Sequence, residues 1–146
     1  EISEISLGTW DFGNNVYGGV IETDAINTIH AGLDMGVNLF DTAPQYGTHQ
    51  QDGVAEIVLG KALKGKRQSV IVSSKFGRNP TIENGDPQFY KSRIIASVDE
   101  SLKRLQTDYI QGIRKVDSRF AVIGNRGFCQ GMSCQWIFIR FFHRNN

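Results

Sequence analysis

Apolar, β-prone runs recur along this chain one strand–helix–strand unit apart, and that spacing constrains the fold more than any other feature. Three of them are centred on Leu39, Ile71 and Ile110, so the steps are 32 and 39 residues. Roughly 30 residues or more is what a parallel βαβ unit needs. The stretches between them carry the helical period. From Thr23, read as an N-cap, Ile26, Ile29 and Leu33 fall on one face, and Gly36 closes the helix as a C′ residue would. A second helix is expected from about Asp52, with Ala55, Val58, Leu59 and Ala62 facing inward and Gly65 as its stop. A third runs from Phe89 to Leu105, with Ile95, Val98, Leu102 and Leu105 in a row. The strands are expected at Ile5–Trp10, Val37–Asp41 and Ser69–Ser74, with Asp108-Tyr109-Ile110 opening a fourth. A polar loop from Gly77 to Pro87 precedes the third helix.

Strands alternating with helices at this spacing predict an α/β fold with a parallel sheet and helices packed outside it. A complete (βα)8 TIM barrel takes about 250 residues, so a chain of 146 is expected to form its N-terminal half. An open, doubly wound sheet of four strands is the alternative.

Composition matters for where this pattern ends. The net charge of +1 conceals two unlike pieces: residues 1–111 sum to −4 and residues 112–146 to +5. The second piece also holds both cysteines and neither periodicity. The boundary is therefore set after Gln111, with 1–111 a partial barrel and 112–146 a divergent basic tail. No apolar run approaches the roughly 18–20 residues of a membrane span. The opening Glu-Ile-Ser-Glu lacks the basic and apolar regions of a secretory leader, so a cytoplasmic location is expected.

The residues able to carry chemistry lie at strand ends. Asp41 closes the second strand and Lys75 the third, and active sites of parallel α/β folds assemble at the carboxyl ends of the strands. Opposite charges there also serve as a structural salt bridge. Tyr46 follows Asp41 closely. A phenol titrates ordinarily near a pKa of about 10. A neighbouring ammonium stabilises the phenolate and lowers that value, while a carboxylate holds the ammonium. Tyr46, Lys75 and Asp41 together would make a general acid for an oxygen that gains negative charge, as in reduction of a carbonyl by hydride.

Four segments carry a resemblance. Leu7-Gly8-Thr9-Trp10, Gly36 to Gly47 (with Asp41-Thr42-Ala43-Pro44-Gln45-Tyr46-Gly47), Glu56 to Leu63 and Ser101 to Ile110 closely resemble the aldo-keto reductase family, in its order and spacing. The resemblance implies a (βα)8 barrel with NADPH (NADH being the other nicotinamide to consider) across the strand ends. It also implies an aldehyde or ketone as small-molecule substrate. By position, Tyr46 resembles the family's proton donor, Lys75 the residue that lowers its pKa and Asp41 the partner of Lys75. Asp41 and Lys75 would also touch the nicotinamide ribose. Gly8, Thr9 and Trp10 match the first-strand segment lining the cofactor pocket.

The resemblance stops near Gln111. The family's fourth catalytic residue, a His eight positions beyond Asp108, is replaced by Val116, and no His lies between 50 and 142. His30, expected on the outer face of the first helix, and His49 do not fit that role. The second half of the family's barrel has no counterpart. A non-catalytic derivative, whether a truncated fragment or a binding subunit, is therefore the rival reading. Cys129, Cys134 and His143 lack zinc-ligand spacing, and no metal is expected. The basic tail offers no specific nucleic-acid motif. Half of a closed barrel leaves strand edges open, which predicts self-association.

Overall fold

The computed structural model describes residues 1–13, 19–48, 50–76 and 87–115. His49, residues 77–86 of the expected polar loop, Val116 and the cysteine-bearing tail lie outside them. Four strands form one sheet: β1 (Ser6–Gly8), β2 (Leu39–Asp41), β3 (Ile71–Phe76) and β4 (Gly112–Lys115). Three helices connect them: α1 (Glu22–Asp34), α2 (Val54–Ala62) and α3 (Pro87–Leu105). Every neighbouring strand pair is parallel and the spatial order equals the chain order, β1-β2-β3-β4.

This order is that of a barrel arc. A doubly wound sheet reverses direction and places helices on both faces. Here Ala25 and Ile29 of α1, Val58, Leu59 and Ala62 of α2, and Val98, Leu102 and Leu105 of α3 share one core with Phe40, Val72 and Ile113 of the strands. All three helices thus cover the same face. Side chains alternate along a strand, so Asp41, Ser73 and Lys75 belong to the opposite face, the inner one of a barrel.

Several expected boundaries move. Thr23 is not the N-cap of α1: the cap is Ile21, two residues earlier, whose carbonyl accepts the Asp24 and Ala25 amides. The other end behaves as expected. Gly36 has a φ of +87°, and the Gly36 and Val37 amides return to the Leu33 and Gly32 carbonyls at 2.9 Å, which is a Schellman motif. His30 is not on the outer face; its Nε2 lies 2.9 Å from the Ala62 carbonyl, where it caps the end of α2. On α3 the inward residue is Ile94, not Ile95, which is 46% exposed. The buried positions Val98, Ser101, Leu102 and Leu105 centre the face nearer to Ile94.

The fourth strand begins at Gly112 rather than Asp108 and so lies wholly beyond the composition boundary set after Gln111. Residues 107–111 instead tie β4 to β3 through side chains. The Gln111 amide accepts the Val72 N–H (3.1 Å) and donates to the Val70 carbonyl (2.9 Å), as a neighbouring strand's backbone would. Arg67, over the Tyr109 ring at 4.1 Å, donates to the Tyr109 carbonyl and the Gln111 side chain at 2.8 Å each. Burial pushes the Arg67 guanidinium below its ordinary range, opposed by Tyr109 and Asp108.

Candidate active site

At the carboxyl end of the sheet, strand register brings together residues far apart in the chain. Gly8 pairs with Asp41, and Asp41 with Ser73; Lys75 stands two residues beyond Ser73, on the same face. The β2 end is fixed from both sides. The Thr9 amide and hydroxyl both donate to the Asp41 carbonyl, at 2.9 and 3.1 Å, and the Thr42 amide donates to the Ser73 carbonyl at 2.8 Å.

Lys75 is 9% exposed. Its ammonium donates to Asp41 Oδ2 at 2.6 Å and to the Thr42 carbonyl at 2.8 Å, and it sits 4.5 Å from the centroid of the Tyr46 ring. Two oxygens and an aromatic face offset the desolvation of a nearly buried charge. Asp41 keeps 23% of its side chain exposed, so the carboxylate holds Lys75 and still meets the surface. Tyr46 is half-buried. Its carbonyl accepts the Ala55 amide at 2.9 Å, which fastens it to the start of α2. A Cβ at Gly13 would run into the Tyr46 carbonyl and the Ala55 amide; only glycine lets the Trp10–Gly13 turn cover that bond.

The three residues expected at the centre are thus brought together. A cation close to a phenol is an arrangement that stabilises phenolate, and here the Lys75 ammonium stands over the Tyr46 ring. The first-strand residues divide. Thr9 is fully buried with its hydroxyl engaged, whereas Gly8 and Trp10 are exposed, Trp10 by 48%. Nothing lies within 4 Å of where a Gly8 Cβ would stand. The Thr42 and Ser73 hydroxyls are buried beside the pair with no hydrogen-bond partner among the described residues. Among those residues no group of three His, Cys, Asp or Glu could hold a metal ion, and no helix is long and apolar enough to cross a membrane.

One cluster behind the site went unread in the sequence. Glu56 of α2 is fully buried, accepts the Ser74 hydroxyl at 2.6 Å, and pairs with Arg104 Nε at 2.7 Å. The available signal is a carboxylate inside the apolar pattern Ala55, Val58, Leu59, Ala62.

Strand order, helices on one face and a strand-end Lys–Asp–Tyr cluster define half of a (βα)8 barrel with its site at the usual rim. The model of the Aldo/keto reductase family matches residues 4–114, and the chain belongs to that family. It is 45% identical over 112 residues to the aldo-keto reductase YhdN of Bacillus subtilis (strain 168), covering 75% of this chain and 33% of that protein. It is 37% identical over 122 residues to the NADH-specific methylglyoxal reductase of Escherichia coli (strain K12), covering 75% and 36%. Among solved structures, an aldo-keto reductase from Klebsiella pneumoniae in complex with NADPH superposes with a TM-score of 0.60 at 31% identity, covering 80% of this chain and 37% of that one. The chain spans about a third of the length of the curated relatives it matches.

Proposed function

We propose that Tyr46, Lys75 and Asp41 are the acid–base centre of a nicotinamide-dependent carbonyl reductase. The observation that carries this reading is the Lys75 ammonium, held at 2.6 Å by Asp41 and at 4.5 Å over the Tyr46 ring. When bound, the nicotinamide supplies hydride to the carbonyl carbon of an aldehyde or ketone. Tyr46 gives its phenolic proton to the carbonyl oxygen, and an alcohol results. The phenolate left behind is stabilised by Lys75, which Asp41 keeps in place.

The residues present fit the reducing end of such a cofactor. Asp41, whose side chain is 23% exposed, stands at the strand-end rim where the ribose of such a cofactor would lie. Gly8 leaves room beside it, and Trp10 adds an exposed aromatic next to Thr9, which braces the Asp41 backbone. NADPH is the preferred form in this reading, with NADH the competitor; relatives of both kinds support a nicotinamide. The cytoplasm is the proposed location and self-association the proposed assembly.

Titrating NADPH fluorescence with the chain tests the binding half. Binding in the micromolar range with turnover of an aldehyde panel is expected. In Tyr46→Phe, binding is retained while turnover drops by about 10²–10⁴-fold, the usual contribution of a positioned general acid.

A second reading is favoured by one observation: Val116 occupies the position of the family's fourth catalytic residue. In it, residues 112–146 are not the family's own sequence, and the chain is a non-catalytic derivative. Absence of NADPH binding by the folded chain selects this reading. Sequencing the transcript past codon 111 and translating all three frames tests the origin of the tail.

A further inference from the structure

Behind the Lys75–Tyr46 pair, two consecutive residues of α2 reach both of its sides. The Ala55 amide donates to the Tyr46 carbonyl at 2.9 Å. The next residue, Glu56, accepts the hydroxyl of Ser74, the neighbour of Lys75, at 2.6 Å. Ser74 and Lys75 alternate across β3, so Ser74 is turned to the helices while Lys75 is turned to the inner face. Glu56 therefore reaches the site through backbone, without touching it. Its other oxygen is held by Arg104 at 2.7 Å, and Arg104 Nη2 bonds Ser101 at 3.3 Å.

A fully buried, paired carboxylate is a poor source of net stability, because desolvation consumes much of the Coulombic gain. Such a pair is retained in some proteins because it fixes one arrangement among near-equals. Here the arrangement fixed is the height of β3 against α2, and with it the position of the Lys75 ammonium relative to the Tyr46 ring. The Tyr46 carbonyl is anchored to α2 one residue away, so a slip of β3 along the helix changes that separation directly.

Resting on the acid–base reading of Tyr46 and Lys75, we infer that Glu56 is a positioning residue that holds Lys75 at its working distance from Tyr46 through the hydroxyl of Ser74.

Glu56→Ala leaves Arg104 without its buried partner and can prevent folding, so Ser74→Ala is the primary variant. Two signals are read on the full chain. One is ultraviolet titration of Tyr46, isolated from Tyr17, Tyr90 and Tyr109 by subtracting Tyr46→Phe. The other is the ¹⁵N resonance of the Lys75 ammonium. Ser74→Ala is expected to raise the Tyr46 midpoint by about half a pH unit or more and to shift the Lys75 resonance. Ser74→Thr, which keeps the hydroxyl, should restore both. Ile29→Val, a core substitution in α1 of similar cost to stability, should move neither. If Ser74→Ala leaves both signals at their wild-type values, or Ile29→Val moves them as far, the positioning role is overturned. If Tyr46 of the unaltered chain titrates like an ordinary phenol, the acid–base reading fails by itself. The Lys75 resonance then decides alone, its displacement in Ser74→Ala upholding the role of Glu56 and its constancy ending it.

Discussion

Two threonines at adjacent strand ends show how much a single hydroxyl depends on its surroundings. Thr9 and Thr42 are both fully buried. The Thr9 hydroxyl donates to the Asp41 carbonyl at 3.1 Å, whereas the Thr42 hydroxyl has no partner among the described residues. Valine has nearly the same shape, so Thr9→Val should cost about 1 kcal/mol, the net worth of one hydrogen bond. Thr42→Val should be neutral or stabilising, because it removes a buried polar atom that has no partner among the described residues. Urea unfolding monitored by circular dichroism checks the pair; equal losses in both variants would refute the distinction. Lys75→Met belongs to the same scale. It removes the cation from the Tyr46 ring, and on the proposed acid–base reading it should raise the midpoint of the Tyr46 titration above that of the unaltered chain. Strand ends and residue chemistry suggest Asp41, Lys75 and Tyr46 as a cluster, and the resemblance of the Asp41–Gly47 run to the family makes them the candidate site; the structure brings the three together. Thr42 and Thr9 were not told apart, since which hydroxyl finds an acceptor depends on the neighbouring strand.

At the level of elements, the helices were read well on the faces where several large residues agree, and less well where one residue decides. Ile94 and Ile95 both satisfy a helical period with Val98; only the buried Ser101 tips the face toward Ile94, and a serine gives no hydrophobic signal. The fourth strand was misplaced for a different reason. Asp108-Tyr109-Ile110 looks strand-like, but Tyr109 stacks under Arg67 and Gln111 completes the β3 ladder with its side chain before backbone pairing starts at Gly112. A glutamine acting as backbone has no sequence signature. Gln111→Leu keeps the volume and removes both contacts to β3. It leaves the Val72 N–H and one Arg67 donor to find other partners, while the Val70 carbonyl keeps its bond from Arg67 Nη1 at 3.0 Å. The loss should be about 1–3 kcal/mol, visible as a lower urea midpoint at unchanged slope. An unchanged midpoint would mean that water replaces the amide without cost.

Among the described residues, the outer face of the sheet is covered, while the inner face is exposed at β1 and buried at β3. Helices seal the outer side of the sheet over Phe40, Val72 and Ile113. Within the described residues, β1 and β4 each pair with a single strand. In a closed barrel those two edges would be met by further strands, and closure is what removes the hazard of open edges. Parallel sheets are otherwise found with both faces buried, yet Ser6 and Gly8 are exposed on the inner side. Ile5, adjoining the β1 edge, is 72% exposed. Each of these features favours pairing with another chain over remaining alone. The 146-residue chain should therefore sediment as dimers or larger species at micromolar concentrations, with a melting temperature that rises with concentration, as linkage to self-association requires. Substituting Ile5 by Lys places a charge beside the β1 edge, a device proteins use to block edge pairing. It should shift the distribution toward monomer without unfolding the core, since Ile5 contributes little burial. A monodisperse, cooperatively melting monomer at all concentrations would show that the edges are already satisfied within one chain.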